Sequence, residues 1–164
     1  MLSLISFLFP VDTGLVRVSE KFVAMEMWQK ETGWNRGFCE KYQKALGLPV
    51  GSAYCYAGQY WAYEQASKLT GKRNPLPRTG LAVVIFYEAK KIGIRTSGVK
   101  RSAFVVWRRV GTSLGHVERV KEVGRAGWVE TYAFNVEEGT KIKKRNIKSP
   151  IGRKVFLGVV NVVP

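Results

Sequence analysis

The chain is poor in the residues that most often carry chemistry. Its 164 residues include two cysteines, Cys39 and Cys55, and a single histidine, His116. Three such residues with no metal-ligand spacing argue against a structural zinc site. Two cysteines also fall short of the disulfide framework of a small secreted scaffold, although one Cys39–Cys55 bond stays open. Acidic residues are scarce, 12 against 27 Lys and Arg. No apolar run is long enough to cross a bilayer. The N-terminal stretch from Met1 to Pro10 is apolar but short. It lacks a basic leading region and a small-residue cleavage site, so it is a poor signal peptide. It reads as a buried lead-in or the remnant of a longer export signal. Secretion is left open, with a secreted, periplasmic or phage-associated protein the main expectation. No internal repeat or low-complexity tract is visible, which excludes a solenoid or a largely disordered chain.

The length and an ordinary apolar share, 46%, suggest one domain over residues 1–164, with 1–14 as a lead-in, and a core large enough to fold alone. The charge is out of the ordinary. A formal net charge of +15 implies attraction to a polyanion, whether nucleic acid, an anionic membrane surface or an anionic cell wall. A solvated basic surface that serves solubility is the bland alternative.

Hydrophobic periodicity divides the chain in two. Residues 15 to 32 read as a first helix with Ser19 as an N-cap candidate and Thr32-Gly33 as its stop. Asn35 is placed to cap a second helix from Arg36 to Leu46, broken at Gly47-Leu48-Pro49. A third runs from about Cys55 to Lys68. Residues 81 to 92 carry strand-prone Val83-Val84-Ile85-Phe86-Tyr87, but the following Glu88-Ala89-Lys90-Lys91 and Gly93 favour a helix. After Gly98 the pattern turns to strands: Ala103–Arg109, Gly115–Val123, Gly127–Val136, Lys141–Ile147 and Phe156–Val163. Helices followed by strands predict an α+β fold with an antiparallel sheet of about five strands packed against the helices.

Gly51-Ser52-Ala53-Tyr54-Cys55 runs straight into the third helix. A helix N-terminus carries unpaired N–H groups and a partial positive charge, which favour the thiolate, the nucleophilic form of cysteine. His116 opens a strand, in Ser113-Leu114-Gly115-His116-Val117. Nucleophile and base are thus both available. The competing reading of Cys55 is a small buried space-filler. Cys39, in a polar helical run with no base nearby in sequence, reads as structural. The dense aromatics Tyr54, Tyr56, Tyr60, Trp61 and Tyr63 are core side chains with polar tips, or some line a groove that stacks on sugars or bases.

The order of these features resembles the papain-like cysteine peptidases and amidases of bacterial cell-wall metabolism, the CHAP group and its NlpC-type relatives. The matching pieces are Asn35-Arg36-Gly37, Gly51-Ser52-Ala53-Tyr54-Cys55 with its helix, Asn74-Pro75-Leu76-Pro77-Arg78-Thr79, Val106-Trp107-Arg108, Gly115-His116-Val117-Glu118-Arg119-Val120 and Trp128-Val129-Glu130-Thr131-Tyr132-Ala133-Phe134-Asn135. The resemblance covers roughly residues 20 to 163. The resemblance implies Cys55 as nucleophile, His116 as general base and Asn135 as the residue that orients the imidazole. Glu118 is an alternative orienter, because it shares a strand face with His116. Many members carry a glutamate where this chain has Ala133, which favours a Cys–His–Asn set over a four-membered one. Glu130 falls on the face opposite Asn135 and reads as a surface residue. The oxyanion donor would be the Cys55 backbone N–H, and Tyr54, Tyr56 and Trp107 are candidates for substrate contact. The implied reaction is hydrolysis of an amide of peptidoglycan in a bacterial or phage-related setting, with no metal or cofactor. The implied partner is peptidoglycan or another anionic wall polymer, with no specific nucleic acid, no membrane span and a monomeric state.

Two other classes compete. A nucleic-acid-binding domain would use the charge and the aromatics, but no nucleic-acid motif appears and the aromatics cluster around Cys55. A catalytically silent binding module for cell wall or nucleic acid would keep the fold without the chemistry. The densest basic stretch, Lys141-Ile142-Lys143-Lys144-Arg145-Asn146-Ile147-Lys148 with Arg153-Lys154, would flank a groove or keep an edge strand from pairing with other chains.

Overall fold

The computed structural model of the chain describes residues 12–91 and 98–162. Four helices precede five strands: α1 (Thr13–Met25), α2 (Glu40–Leu46), α3 (Cys55–Thr70) and α4 (Val84–Lys91), then β1 (Phe104–Arg109), β2 (Gly115–Val123), β3 (Trp128–Val136), β4 (Gly139–Asn146) and β5 (Lys154–Val160). The strands form one sheet in the order β4-β3-β2-β1-β5, and every neighbouring pair is antiparallel. The expected α+β class holds. Residues 1–11 of the expected lead-in, Gly93 and Val163 lie outside the described residues, while Thr13 and Gly14, expected in the lead-in, already belong to α1.

The first two helices differ from the periodicity reading. The α1 cap is Asp12, whose Oδ1 accepts the Leu15 N–H at 3.0 Å. Ser19 is instead buried in the middle of the helix, donating to the Val16 carbonyl and accepting from Arg119. α1 also stops at Met25, because the next segment is drawn to the sheet. Trp28 adopts a left-handed φ of 72°. The Trp28 and Glu31 N–H groups donate to the carbonyls of Thr140 and Glu138, and Thr140 N–H returns the bond to Gln29. Interstrand bonds replace the last helical turn that local pattern alone favours. Asn35 caps nothing. It too has positive φ, and its amide donates to the Gly51 carbonyl. α2 begins only at Glu40, whose Oε1 accepts the Gly37 N–H.

The sheet's two faces do different work. Phe104, Val106, Val117, Tyr132 and Phe134 face the helices and join the main core. Tyr42 sits at its centre, with the rings of Phe38, Tyr54, Trp61 and Phe134 at 5.3 to 6.0 Å. Arg119 lies on the same face, fully buried, donating to Ser19 and the Val16 carbonyl with its guanidinium 5.2 Å from the Tyr63 ring. Helix α3 presses closest where Gly58 faces Phe134. A Cβ at Gly58 would fall 2.3 Å from that ring, so only glycine permits this approach. The far face carries a second apolar cluster of Ala103, Val105, Trp107, Val120, Val129, Ile147 and Val159. On that face, near the start of β2, the charged groups of the candidate site are also found.

Candidate active site

Cys55 is the first residue of α3, and no side chain caps this helix start. The N–H groups of its first turn are therefore not spent on a capping side chain. His116 is the second residue of β2 and pairs across the ladder with Trp107 of β1, their rings 6.2 Å apart. The bend into β2 needs Gly115. A Cβ there would lie 2.4 Å from the Trp107 carbonyl oxygen and 2.5 Å from Val83. Packing α3 on the sheet sets the Cys55 thiol beside the His116 ring and the backbone N–H groups of Val117 and Tyr56, which favour its ionised form. Both side chains are nearly enclosed, each residue 7% exposed.

The second ring nitrogen is also engaged. His116 Nε2 lies 2.9 Å from Glu118 Oε1, which leaves Nδ1 for the sulfur. Glu118 is wholly buried. Thr131 Oγ1 donates to its Oε2 at 2.5 Å. Arg145 closes on the carboxylate from β4, with Nη2 at 2.7 Å from Oε1 and Nε at 3.0 Å from Oε2. Sulfur, imidazole, carboxylate and guanidinium thus form one chain of alternating polar groups, buried as far as Glu118 and half-buried at Arg145. Charge-assisted bonds of this kind are each worth about 1.5–3 kcal/mol.

These neighbours decide the protonation states. Burial pushes the Cys55 thiol up, but the His116 hydrogen bond and charge, aided by the Val117 and Tyr56 N–H groups, outweigh it and the net direction is down. Burial pulls His116 down, yet its bonds to Cys55 and Glu118 and their charges raise it to about 9. Glu118 is pushed up by burial and drawn down further by His116 and Arg145, to about 2. All three directions favour a thiolate–imidazolium pair backed by an ionised carboxylate. Cys39 is the contrast: desolvation and Glu31 lift its thiol to about 11. Both cysteines are free, so the optional disulfide is absent.

The other expected site residues fall elsewhere. The hydrogen bonds to the His116 ring come from Cys55 and from Glu118, the alternative orienter. Asn135 sits at a bulge between Phe134 and Val136, with φ of 59°, and lines a cleft of about 450 Å³ with Glu31, Gly33, Trp34, Asn35, Glu137 and Glu138. Ala133 pairs directly with Glu118 in the β2–β3 ladder, so the carboxylate lies on the strand beside the position where a glutamate was looked for. Glu130 pairs with Lys121 at the surface.

The expected substrate contacts of Tyr54, Tyr56 and Trp107 do not fit the packing. All three are buried, and each polar tip is satisfied inside. Tyr54 donates to Glu31, Tyr56 to the Pro77 carbonyl and Trp107 to the Ser149 carbonyl. The aromatic that stands free at the cleft is Trp34, 89% exposed. Thr131 and Arg145 were missed as site residues. For Arg145 the sole sequence signal is the alternation of basic and apolar residues along β4, which does not say which cation turns inward, and Thr131, on β3, carries none. Three of the four cations of β4 are paired within the chain: Lys141 and Lys143 with Glu137 and Arg145 with Glu118. β4 is an edge strand, covered only at its start by the segment from Trp28 to Glu31. Among the described residues no cluster of His, Cys, Asp and Glu is arranged to hold a metal ion, and no helix is long and apolar enough to cross a membrane.

Compared with known proteins, the chain matches no family model, no curated protein and no solved structure.

Proposed function

We propose that this chain is a papain-like cysteine hydrolase that cleaves an amide bond of peptidoglycan. The observation that carries the reading is the buried Cys55–His116–Glu118 chain at the start of α3. A thiolate held next to an imidazolium is the resting form of an activated sulfur nucleophile. In the reaction, the Cys55 sulfur attacks the amide carbonyl carbon, and the carbonyl π pair moves to oxygen. The Cys55 backbone N–H at the helix start is the donor closest in sequence to the developing oxyanion. Collapse breaks the C–N bond as His116 gives its proton to the leaving amine. His116 then takes a proton from water, whose oxygen attacks the thioester. Carboxylate product leaves and the thiolate–imidazolium pair returns. Glu118 fixes the ring's tautomer and steadies its charge throughout, the third role of a triad.

The substrate class rests on the resemblance in motif order and on charge. A net charge of +15 suits an anionic wall polymer. The test is digestion of purified peptidoglycan by the parent and by Cys55→Ala, with products weighed by mass spectrometry. Soluble fragments from the parent alone support the reading and name the bond. Activity that survives in Cys55→Ala removes the thiol from the mechanism. Salt-sensitive polyanion binding with no hydrolysis by either protein supports a non-catalytic binding module instead.

A further inference from the structure

Arg145 belongs to β4, two strands from Glu118 on β2. Its side chain must cross β3 to reach the carboxylate. Two small residues make the crossing passable. Thr131 and Ala133 share the far face of β3, with Ala133 opposite Glu118 and Thr131 opposite Lys143. Thr131 uses its hydroxyl to bind the same carboxylate. The other cations on this face of β4, Lys141 and Lys143, are held by Glu137. Arg145 is therefore the cation available to Glu118, and it takes both oxygens in a forked grip, a geometry that fixes the plane of a carboxylate as well as its charge.

We propose that Arg145 is a positioning residue, which locks Glu118 ionised and in one plane so that His116 stays aimed at Cys55. The inference rests on the assignment of Cys55 and His116 as nucleophile and base. Its physical content is a coupling across three strands. The groups that face the imidazole are Cys55 from α3, Glu118 from its own strand and the Trp107 ring from β1. Arg145 and Thr131 act on it only through Glu118. Without the guanidinium, the buried carboxylate takes up a proton more readily or turns away. The imidazolium then loses its counter-charge, and the thiolate loses the imidazolium.

The experiment reads Cys55 without needing a substrate. Alkylation by iodoacetamide is followed against pH, and the Cys55 peptide is quantified by mass. Cys39 is buried with its thiol raised, and it serves as an internal marker of intact folding. Arg145→Met is expected to move the Cys55 alkylation midpoint up by about one pH unit, so that the rate below the midpoint falls about tenfold. Arg145→Lys keeps the charge without the fork and is expected to recover part of the shift. Thr131→Val removes one bond to Glu118 and is expected to shift the midpoint in the same direction by less. It carries the test if Arg145→Met does not fold. A folded Arg145→Met, or failing that Thr131→Val, with the parent's midpoint overturns the proposal. If the parent itself titrates like an ordinary free thiol, it is the Cys55–His116 assignment that fails.

Discussion

Replacing Glu118 with glutamine removes one charge and changes almost no volume. In the parent, the carboxyl is held near 2 against an ordinary 4.5 by His116 and Arg145. A depressed folded value means that stability is present above pH 4.5 and is lost as pH falls from there toward 2. The difference corresponds to about 3 kcal/mol at neutral pH, of which about 2 kcal/mol is gone by pH 3. Glu118→Gln cannot contribute this term. It also leaves Arg145 and the His116 ring without their shared counter-charge in a buried place, a loss that typically costs about 3–5 kcal/mol. Urea unfolding at pH 7, 5 and 3 should therefore show a variant weaker than the parent at pH 7, with the gap narrowing by about 2 kcal/mol at pH 3. The common background of surface carboxylates, such as Glu137 and Glu130, cancels in the comparison. A gap that stays constant across this range would refute the claim that Glu118 is ionised and paired in the folded state.

Two further outcomes follow from the same geometry. The proposed hydrolysis should slow as pH rises through about 9, where the raised His116 loses the proton assigned to the leaving amine, and a rate that keeps climbing past pH 10 would contradict that role. Gly58→Ala should destabilise the fold by about 1–3 kcal/mol in urea melts despite alanine's better helix propensity, because the added methyl meets the buried Phe134 ring. A neutral or stabilising result would mean that α3 packs less closely on β3 than described.

Much of the architecture was legible because it is local. Gly47 and Gly71 end helices in left-handed conformations, β2 spans the residues expected of it, Gly115–Val123, and the segment from Val84 to Lys91 is helical despite its β-branched start. The placement of a cysteine at a helix start and the single histidine at a strand start was equally open to reading. Of the aromatics around Cys55, Tyr54, Tyr56, Tyr60 and Tyr63 are buried in the core, with the Tyr54 and Tyr56 hydroxyls bonded inside, and Trp61 packs against it. What failed was whatever depended on distant pairing. The end of α1 is decided by hydrogen bonds to Glu138 and Thr140, more than a hundred residues away, and no window of sequence contains that competition.

The candidate site divides along the same line. The amino-acid sequence by itself determined the chemical types: one thiol on a helix N-terminus, one imidazole, an acid two positions beyond it on the same strand face, and a large excess of cations. These follow from identity and from the two-residue period of a strand. Only the tertiary structure decided which of them meet. Strand register sets Glu118 opposite Ala133 and within reach of Thr131 and Arg145, while a bulge gives Asn135 to a separate cleft. Register comes from the pairing of whole strands and the packing of α3 on the sheet. A carboxylate's partner across two strands is thus a property of the assembled fold and of no local stretch within it.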